Sequence, residues 1–486
     1  MLPIEEILKT ALKEHEFDTD EQVNVDEHIQ RVKNQMSNPS SIEPFSQSSS
    51  PLSVVSFQCL LQDTGYPMEV YLPGEFQPGR NIDWSKLKER WVGWGVEIPG
   101  EQLWAKKEDD LFQGIQELSI ASKSLPCSVY SKYPLPDRKG EYLGALLKVY
   151  DEVTFKPASI HKFVGLVSTC PMPSYDPEEA DIVPVIHVLS MSETEPTHEI
   201  LANDENLREE LLDYLAGAFD PPDKTAAEYL LLLLISSPNS RPVSLPVLGT
   251  LSIKFRCEGE KSLSQFHSIV SAVTPRVVLL PLTISLLHSH RFLPCMTDTH
   301  GLEAGLLQLG DGTVLVVKED GMGNGGALNE RALKNLKALV DCLKDQNVTY
   351  EYPYMDGLKM DCAIRIAVLG QGKSLFPLDV DIPIIADGSP SNNAPSLDGL
   401  RSYLSRYSSP MHASRFSIPE KTSQFIQEHF VQERKSSSID AEATLRRRMI
   451  IARIMALSYP HATLTEDVWM RTVMLDERIM ARHAAL

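Results

Sequence analysis

The spacing of hydrophobic residues changes several times along the chain, and it begins with a helical pattern. Ile4, Leu8 and Leu12 recur at helical spacing, and a second, weaker helix is predicted near residues 25–32. The following stretch, SNPSSIEPFSQSSSP, has the Ser/Pro composition of a linker. We therefore predict an N-terminal helix and a Ser/Pro linker within residues 1–50. The helix either docks a partner or packs on the next domain, and its pattern favours neither.

Short apolar runs with a period near two replace the helical pattern from residue 54 onward. They are bounded by Gly, Pro or charged residues, as β-strands are, and read VVSFQCLLQD, MEVYLP, WVGWGVEIPG, GALLKVYD, HKFVGLVSTC and IVPVIHVLSM. Five or six short strands in this length suit a small barrel of the OB type. We predict an OB-like β domain over residues 51–192.

The second half of the chain alternates between strand and helix patterns. An acidic helical connector is predicted over residues 193–222, and an α/β unit with a partly parallel sheet over 223–390. A segment rich in Ser, Asn, Pro and Gly predicts a flexible linker at 391–418, and the remainder, 419–486, is helical by pattern. The predicted fold class is therefore multidomain α+β.

Charge narrows the kinds of partner that the chain is suited to bind. It carries 46 Lys and Arg against 66 Asp and Glu, a formal charge of −20, and a pI near 5.1. This sign disfavours broad binding to DNA or to anionic membranes and favours protein partners. The seven cysteines contain no C-x-x-C pair, so neither a zinc site nor a disulfide framework is predicted. We expect no secretion signal and no membrane span.

Two Lys-Ser pairs follow predicted strands, as in a phosphate-binding P-loop, but neither fits that motif. Before Lys373-Ser374 the required first Gly falls on Ala367, and a Pro follows closely, so we predict a turn there. Before Lys261-Ser262 the two Gly positions hold Phe255 and Glu260. Acidic side chains at 258 and 260 would also repel a triphosphate.

The Lys261-Ser262 pair is the first of a longer series of segments that follow one another along the chain in a fixed order. The series continues with Thr274-Pro275-Arg276, Leu282-Thr283, Leu302-Glu303-Ala304-Gly305, Asp311-Gly312 and Leu315-Val316-Val317, and ends at Lys318-Glu319-Asp320-Gly321-Met322. This order resembles the ATPase core of the MCM replicative-helicase subunits. In that resemblance the magnesium-binding Walker B Asp falls on Lys318, while the neighbouring Glu is retained as Glu319.

The remaining ATPase positions of the resemblance are also altered. The sensor-1 Asn falls on Leu369, and the segment with the arginine finger resembles Ser374-Leu375-Phe376. A literal Ser414-Arg415-Phe416 lies too late in the chain, and we interpret it as coincidence. A sensor-2 Arg is retained as Arg446. The resemblance thus implies an inactivated MCM-like AAA+ core with a C-terminal helical lid, no catalytic, metal-binding or cofactor-binding residues, and no stable nucleotide.

Four further segments extend the resemblance over most of the chain. VVSFQCLLQD, EIPGEQLW, LKVYD and AAEYLLLLLIS follow one another as in the MCM complex-binding protein family, which the chain resembles. The resemblance implies a non-enzymatic nuclear factor that associates with MCM helicase subunits in DNA replication. It also implies assistance in their assembly, nuclear supply or unloading, indirect association with chromatin, and a link to sister chromatid cohesion. The alternatives are an OB-fold nucleic-acid-binding module and a divergent AAA+ ATPase.

Three other groups of side chains have ordinary structural interpretations. The tryptophans of the β domain favour a core or a protein contact over base stacking: Trp84, Trp91, Trp94 and Trp104. His288, His290 and Cys295 are expected at a polar strand edge and not at a metal. The run Arg446-Arg447-Arg448 is expected on a solvated helix face, although it could serve nuclear import.

Overall fold

The structure is a computed structural model that describes most of the chain. The described residues are 4–19, 24–38, 42–73, 84–106, 129–136, 142–173, 181–193, 204–243, 246–257, 259–297, 301–319, 327–387, 396–436 and 441–485. Within them the fold is mixed α+β, as predicted, with several sheets. None of the helices in these ranges is both long enough and apolar enough to cross a membrane.

A closed ring of strands forms the first half of the molecule. The strands are β1 (Glu43–Pro44), β2 (Val54–Asp63), β3 (Glu69–Tyr71), β4 (Lys88–Val96), β5 (Gly144–Val149), β6 (Ile160–Pro171) and β7 (Ile182–Glu193). Their order is β1-β2-β6-β7-β5-β4-β3, and β2 also pairs with β4, so five strands close a barrel. The β5–β7 pair is parallel, and the other pairs of the ring are antiparallel.

Two helices cover one side of this barrel, α1 (Ile4–Thr19) and α2 (Val25–Met36). Leu8 and Leu12 of α1 are fully buried in one cluster with Val54 and Leu166 of the barrel. Of the two interpretations of the first helix, packing on the next domain is therefore the one observed. The predicted linker also contributes to the barrel, because Phe45 is buried beside β1.

The second half is built on a parallel sheet of five strands. These are β8 (Ile253–Arg256), β9 (Val277–Pro281), β12 (Val314–Lys318), β15 (Arg365–Leu369) and β16 (Val380–Pro383), in the order β16-β8-β15-β12-β9. Two small antiparallel pairs lie outside it: β10 (Cys295–Thr297) with β11 (Gly301–Glu303), and β13 (Asn347–Tyr350) with β14 (Leu358–Asp361). The partly parallel sheet that the alternation of strand and helix patterns predicted is confirmed.

Both faces of the parallel sheet are buried, because alternate side chains enter two different cores. Val316 and Ala367 belong to the larger core, whereas Val317 and Val368 belong to the smaller one. The larger core is lined by α3 (Asp204–Ala216), α4 (Lys224–Ile235), α5 (Gly259–Val273), α8 (Leu397–Tyr407), α9 (Pro410–Ala413), α10 (Glu420–Ser436), α11 (Ala441–Leu457) and α12 (Glu466–Ala485). The smaller core is covered by α6 (Ile284–Ser289) and α7 (Glu330–Asp345).

The structure differs from the predicted flexible linker at 391–418. Helix α8 occupies part of it, and Leu400, Tyr403, Leu404 and Tyr407 are buried in the larger core. Their spacing is that of one helix face. The Ser- and Pro-rich composition around them obscured this pattern.

The barrel and the α/β unit share a buried polar junction. The Nζ of Lys132 donates to Asp63 Oδ2 at 2.7 Å and to the Leu302 carbonyl at 3.2 Å. Gln62, at the end of β2, exchanges side-chain and backbone hydrogen bonds with Gln308. These partners are buried, so the two halves are joined by a specific interface and not only by the connecting chain.

Candidate functional site

The candidate site lies at the carboxyl edge of the parallel sheet, where open α/β sheets bind ligands. Strand β8 ends at Arg256 and helix α5 begins at Gly259, so two residues separate the strand from the helix. Phe255, which stands at the first P-loop Gly position, is fully buried in the larger core. The connection is therefore too short and too firmly anchored to wrap a chain of phosphates.

Lys261, of the Lys261-Ser262 pair, is directed into solvent. The Lys261 side chain is 86% exposed, and its Nζ lies 3.4 Å from Asp220. Glu260, its neighbour in the first turn of α5, pairs with Lys318. An acidic side chain thus stands at the positive end of the helix, where an anion would otherwise be favoured. Residue 258, the other acidic residue that was expected to repel a triphosphate, lies outside the described residues.

Glu319, which stands at the Walker B Glu position in the resemblance to MCM subunits, is buried and hydrogen-bonded by the chain itself. Its Oε2 accepts from Lys254 Nζ at 2.9 Å, and its Oε1 accepts from Ser374 Oγ at 2.7 Å and Leu375 N at 2.9 Å. Lys254 also donates to the Gly372 carbonyl at 2.6 Å. The ammonium of Lys254 therefore occupies the place beside this acid, and the loop after β15 closes over the pair.

The segment that contains Lys373-Ser374 forms no helix, in agreement with the sequence prediction, and it has a structural role. Residues 370–375 form no helix and instead supply the carbonyl of Gly372 and the hydroxyl of Ser374 to the buried pair. Leu369, at the sensor-1 position, is buried at the end of β15. Of the segment resembling the arginine-finger motif, Phe376 is buried and Leu375 is exposed. No sequence pattern pointed to Lys254, because its partners are distant along the chain.

The two remaining arginine candidates lie away from this pair. Arg446 is exposed near Asp379, which precedes the edge strand β16. Burial raises the pKa of the Asp379 carboxyl, while hydrogen bonds from Ser252 and the nearby Arg446 charge oppose that rise. Arg415 of the literal Ser-Arg-Phe is exposed at the end of α9, on a different part of the molecule from β12.

The expectation of a solvated face for the arginine run is wrong for two of its members. Arg447 and Arg448 both donate to Asp476 of α12, at 2.7 and 2.8 Å, and Arg448 also donates to Glu433 of α10 at 2.7 Å. Arg448 is buried. These ion pairs join three C-terminal helices, which a run of basic residues alone does not reveal.

The structural interpretation of the tryptophans is confirmed where their side chains are described. Trp91 and Trp94 are buried in two apolar clusters of the barrel. Trp104 instead reaches the α/β unit, where its indole N–H donates to the Ser271 carbonyl at 2.7 Å and the Arg401 guanidinium lies 3.9 Å from its ring centroid. The side chain of Trp84 lies outside the described residues.

The His and Cys candidates occupy different elements from those expected. His288 belongs to helix α6 and His290 caps it, so neither lies on a strand edge, whereas Cys295 begins β10. Over the described ranges there is no group of three or more His, Cys, Asp or Glu side chains that could hold a metal ion.

Comparison with known proteins connects this architecture to one family. The family described as mini-chromosome maintenance replisome factor matches residues 113–483. Proteins named mini-chromosome maintenance complex-binding protein align at 28% identity in Gallus gallus, 27% in Homo sapiens and 26% in Arabidopsis thaliana. The alignments cover 82%, 79% and 70% of this chain, and 70%, 67% and 63% of those relatives. The resemblance expected from the sequence is confirmed, and the chain belongs to the mini-chromosome maintenance replisome factor family.

Proposed function

We propose that this chain is a binding factor for MCM helicase subunits that acts in DNA replication. The observation that carries the proposal is the match to relatives that are named for binding the mini-chromosome maintenance complex. We further propose that the chain works in the nucleus and assists assembly, nuclear supply or unloading of those subunits. Its association with chromatin and its contribution to sister chromatid cohesion would then be indirect, through the same partners.

We propose that residues 51–192 are an OB-like domain and that residues 223–390 are an AAA+-like core. The closed five-stranded barrel supports the first assignment, since the OB fold is a barrel of five strands. The second is supported because strands β8, β12 and β15 bring the segments resembling Walker A, Walker B and sensor 1 to one edge of a parallel sheet. The helices of 419–486 would form the lid.

We propose that the chain is not an ATPase. Hydrolysis of a nucleotide requires a phosphate cradle, a magnesium ligand and a free catalytic group. Here the connection after β8 is short, Lys318 stands at the position of the metal-binding acid, and Glu319 is engaged by Lys254. Each of these observations opposes one of the three requirements, and together they support a role in binding.

The partner proposal is tested by purifying the tagged full-length chain from cells and identifying stoichiometric partners. We expect MCM subunits, and their absence would refute the proposal. Lys261→Ala should leave the association unchanged, because that side chain is exposed and lies outside the buried pair. Leu306→Asp is the matched disruption: this residue is buried in the smaller core, and a carboxylate there should abolish the association by unfolding the unit.

Recognition through a subunit-like face requires a test that leaves the junction between the halves intact. Truncation after Ser190 would uncover Gln62 and Asp63 and so confuse loss of binding with loss of folding. Chemical cross-linking of the full chain to purified MCM subunits avoids this problem. Cross-links concentrated on lysines of 223–486 support mimicry by the AAA+-like core. Cross-links confined to the barrel assign recognition to the N-terminal half.

The absence of ATPase activity is tested by calorimetric titration with Mg-ATP. We expect no binding at ~1 mM nucleotide, a concentration that detects interactions of about −4 kcal/mol. Tighter binding that Lys261→Ala abolishes would show that the site binds nucleotide and would contradict the proposal.

The same preparation should bind single-stranded DNA weakly and in a salt-sensitive way, because the chain carries a charge of −20 and its Trp91 and Trp94 rings are buried.

A further inference from the structure

Helix α1 covers a surface of the barrel that combines apolar and basic side chains. The apolar part belongs to one buried cluster with residues of α1 and consists of Val54, Tyr71, Tyr150, Leu166 and Leu189. The basic part consists of Lys88, Arg90 and Lys148. We refer to the two parts together as the α1 site. Helix α1 was expected either to dock a partner or to pack on the next domain, and the chemistry of this site connects the two roles.

The side of α1 that enters the site is a narrow apolar stripe. Its members recur at helical spacing and are each at most 5% exposed: Ile7, Leu8, Ala11 and Leu12. Lys9, on the other side of the helix, is exposed. Amphipathic helices bind the apolar grooves of other proteins through a stripe of this kind. The contact between α1 and the barrel therefore resembles a contact between a helical ligand and its receptor.

Negative charge on α1 complements positive charge on the barrel. The Glu14 carboxylate lies 2.7 Å from Arg90 Nη1 and 3.6 Å from Lys148 Nζ. Glu6, one turn before the apolar stripe ends, lies 2.6 Å from Lys88 Nζ. In a chain with 66 acidic and 46 basic residues, a surface with three basic side chains is an exception. Such a surface selects an acidic helix over a basic one.

The two buried cations of the site have partners in the barrel that do not depend on α1. Arg90 donates to Glu69 Oε2 through Nε at 2.9 Å and Nη2 at 2.6 Å, and through Nη1 to the Tyr150 hydroxyl at 2.9 Å. Lys148 Nζ lies 3.1 Å from the same Glu69 oxygen. Departure of α1 therefore leaves neither cation without a partner, which is the costly step when a buried pair is broken. Because one carboxylate serves two cations, the uncovered site stays positive and suited to another acidic helix.

The aromatic rings of the site are not open to nucleic-acid bases. The Tyr71 and Tyr150 rings meet edge to face with centroids 5.1 Å apart, and the Arg90 guanidinium lies 5.4 Å from each centroid. Barrels that bind single strands use open ring faces on which bases stack. Leu166 and Leu189 instead require an apolar partner surface, which a phosphate backbone lacks. Both observations favour a protein helix over a nucleic acid.

We propose that the α1 site binds an acidic amphipathic helix of a partner protein in exchange for α1, which acts as a tethered competitor within the chain. The partner helix carries apolar residues at the spacing of Ile7, Leu8, Ala11 and Leu12, and a carboxylate at the place of Glu14. The proposal concerns the class of the partner helix, and it holds whether or not the partner is an MCM subunit.

The test uses the full-length chain with a protease site inserted between α1 and α2, before and after cleavage. The probe is a fluorescein-labelled peptide of the length of α1 that keeps the residues of positions 4–8, 11, 12 and 14 and has Ala or Gln elsewhere. Fluorescence anisotropy measures its binding. We expect a Kd on the order of 10 µM for the cleaved chain and at least about tenfold weaker binding before cleavage, because the tether holds α1 at a millimolar effective concentration. Equal affinity before and after cleavage would overturn the proposal.

Three further probes define what the site selects. The same peptide with Glu14→Lys should bind at least about tenfold more weakly, because its charge then faces Arg90 and Lys148. Binding of the native α1 sequence without binding of the simplified peptide would show that the site accepts α1 alone, and would contradict the proposal. An oligothymidylate that binds the cleaved chain more tightly than the peptide would assign the site to nucleic acid, with the same consequence.

Matched variants of the uncleaved chain test the exchange without a cut. Glu14→Lys weakens the tethered competitor, so the simplified peptide should bind about tenfold more tightly than it binds the unmodified chain. Glu477→Lys makes the same change of charge at an exposed position of α12 and should leave binding unchanged. Equal affinity in the two variants would overturn the proposal. Because an unfolded chain would not distinguish the Glu and Lys peptides, loss of that discrimination in Glu14→Lys would equally contradict it.

Light scattering of the uncleaved chain distinguishes a partner protein from a second copy of this chain. Exchange of α1 between two copies gives a dimer, whereas the tether favours closure within one chain at micromolar concentration, so we expect a monomer. A dimer that cleavage separates would assign the site to the second copy and overturn the proposal.

Discussion

Lys254 and Lys132 are both buried, and each donates to a carboxylate, yet their pairs serve different parts of the molecule. Lys254 and its partner Glu319 both lie at the edge of the parallel sheet, and the loop that covers them follows β15 of the same sheet. Lys132 and Asp63 belong to the barrel half, but they also bind the backbone of Leu302 in the α/β half. The first pair closes a site, and the second joins two units.

A buried lysine–carboxylate pair therefore has a different role according to whether its hydrogen-bond partners lie in one unit or in two. A buried ion pair is a weak source of net stability, but it is costly to break, since one charge is then left without a partner. Within one sheet this cost fixes a local arrangement. Across two units the same cost fixes their relative position. The two pairs therefore predict different patterns of unfolding.

The largest effect is expected when the sheet pair is broken. Glu319→Gln removes the charge that satisfies Lys254, and we expect a loss of about 3–5 kcal/mol in the free energy of unfolding, measured with urea. Lys261→Ala is the control, with a change within about 0.5 kcal/mol, because its side chain is exposed. A change of similar size in both variants would contradict the assignment of the buried pair.

Replacing both members of the sheet pair sharpens the same prediction. Lys254→Met combined with Glu319→Leu removes both buried charges, so most of the stability lost in Glu319→Gln should return. A double variant as unstable as the single one would show that the hydrogen bonds to Gly372 and Ser374 matter more than the charges.

A smaller effect of a different kind is expected at the junction. Asp63→Asn leaves Lys132 with the Leu302 carbonyl, and we expect a loss of about 3 kcal/mol together with separation of unfolding into two steps. In a Trp469→Phe, Trp104→Phe background, tryptophan fluorescence reports mainly on the barrel through Trp91 and Trp94, and circular dichroism reports on the helical half. Coincident transitions by the two measurements would contradict a coupling role for this pair.

Acid should weaken the barrel through His187. Burial lowers the pKa of His187 well below 6.5, and the Lys148 and Arg90 charges lower it further. As pH falls below 6.5 the unfolded chain binds a proton that the folded chain excludes, so the stability present above that pH is lost. Between the unfolded and the folded pKa the loss grows by about 1.4 kcal/mol for each pH unit. His187→Gln should flatten that part of the pH profile, and an unchanged slope would refute the assignment.

The smallest effect is expected at the second contact between the halves. Trp104→Phe retains an aromatic ring beside Arg401 but removes the indole N–H that donates to Ser271. We expect a loss of about 1 kcal/mol, measured by urea unfolding, as for one hydrogen bond. A loss as large as that of Asp63→Asn would transfer the coupling role from the lysine pair to this tryptophan.

Sequence patterns predicted the elements better than the contacts. The period-two runs predicted the barrel strands, and strand-helix alternation predicted the parallel sheet, since both patterns reflect local burial. Helix α6 was missed because its six residues are too few to show a period, and α8 because its surroundings are rich in Ser and Pro. Composition describes a segment, whereas burial depends on what packs against it.

The candidate site shows the same division. The altered Walker positions could be compared one by one along the sequence, and they predicted loss of a phosphate cradle. The ion pair that replaces it could not be predicted, because Lys254, Glu319 and Gly372 lie on three separate segments that only the sheet brings together. Likewise, Arg448 of α11 donates to Asp476 of α12, a contact between two helices that local sequence patterns do not predict.

The short connection between β8 and α5 has a consequence for the engineering of this chain. Residues 255–262 have the same number of positions as the P-loop motif, but β8 and α5 extend into this span and leave only two residues between them. A phosphate cradle needs open backbone as well as glycine. Gly at positions 255 and 260 and Asp at position 318 would therefore restore nucleotide binding only if the first turn of α5 also unwound, and the loss of Phe255 would leave a cavity in the larger core.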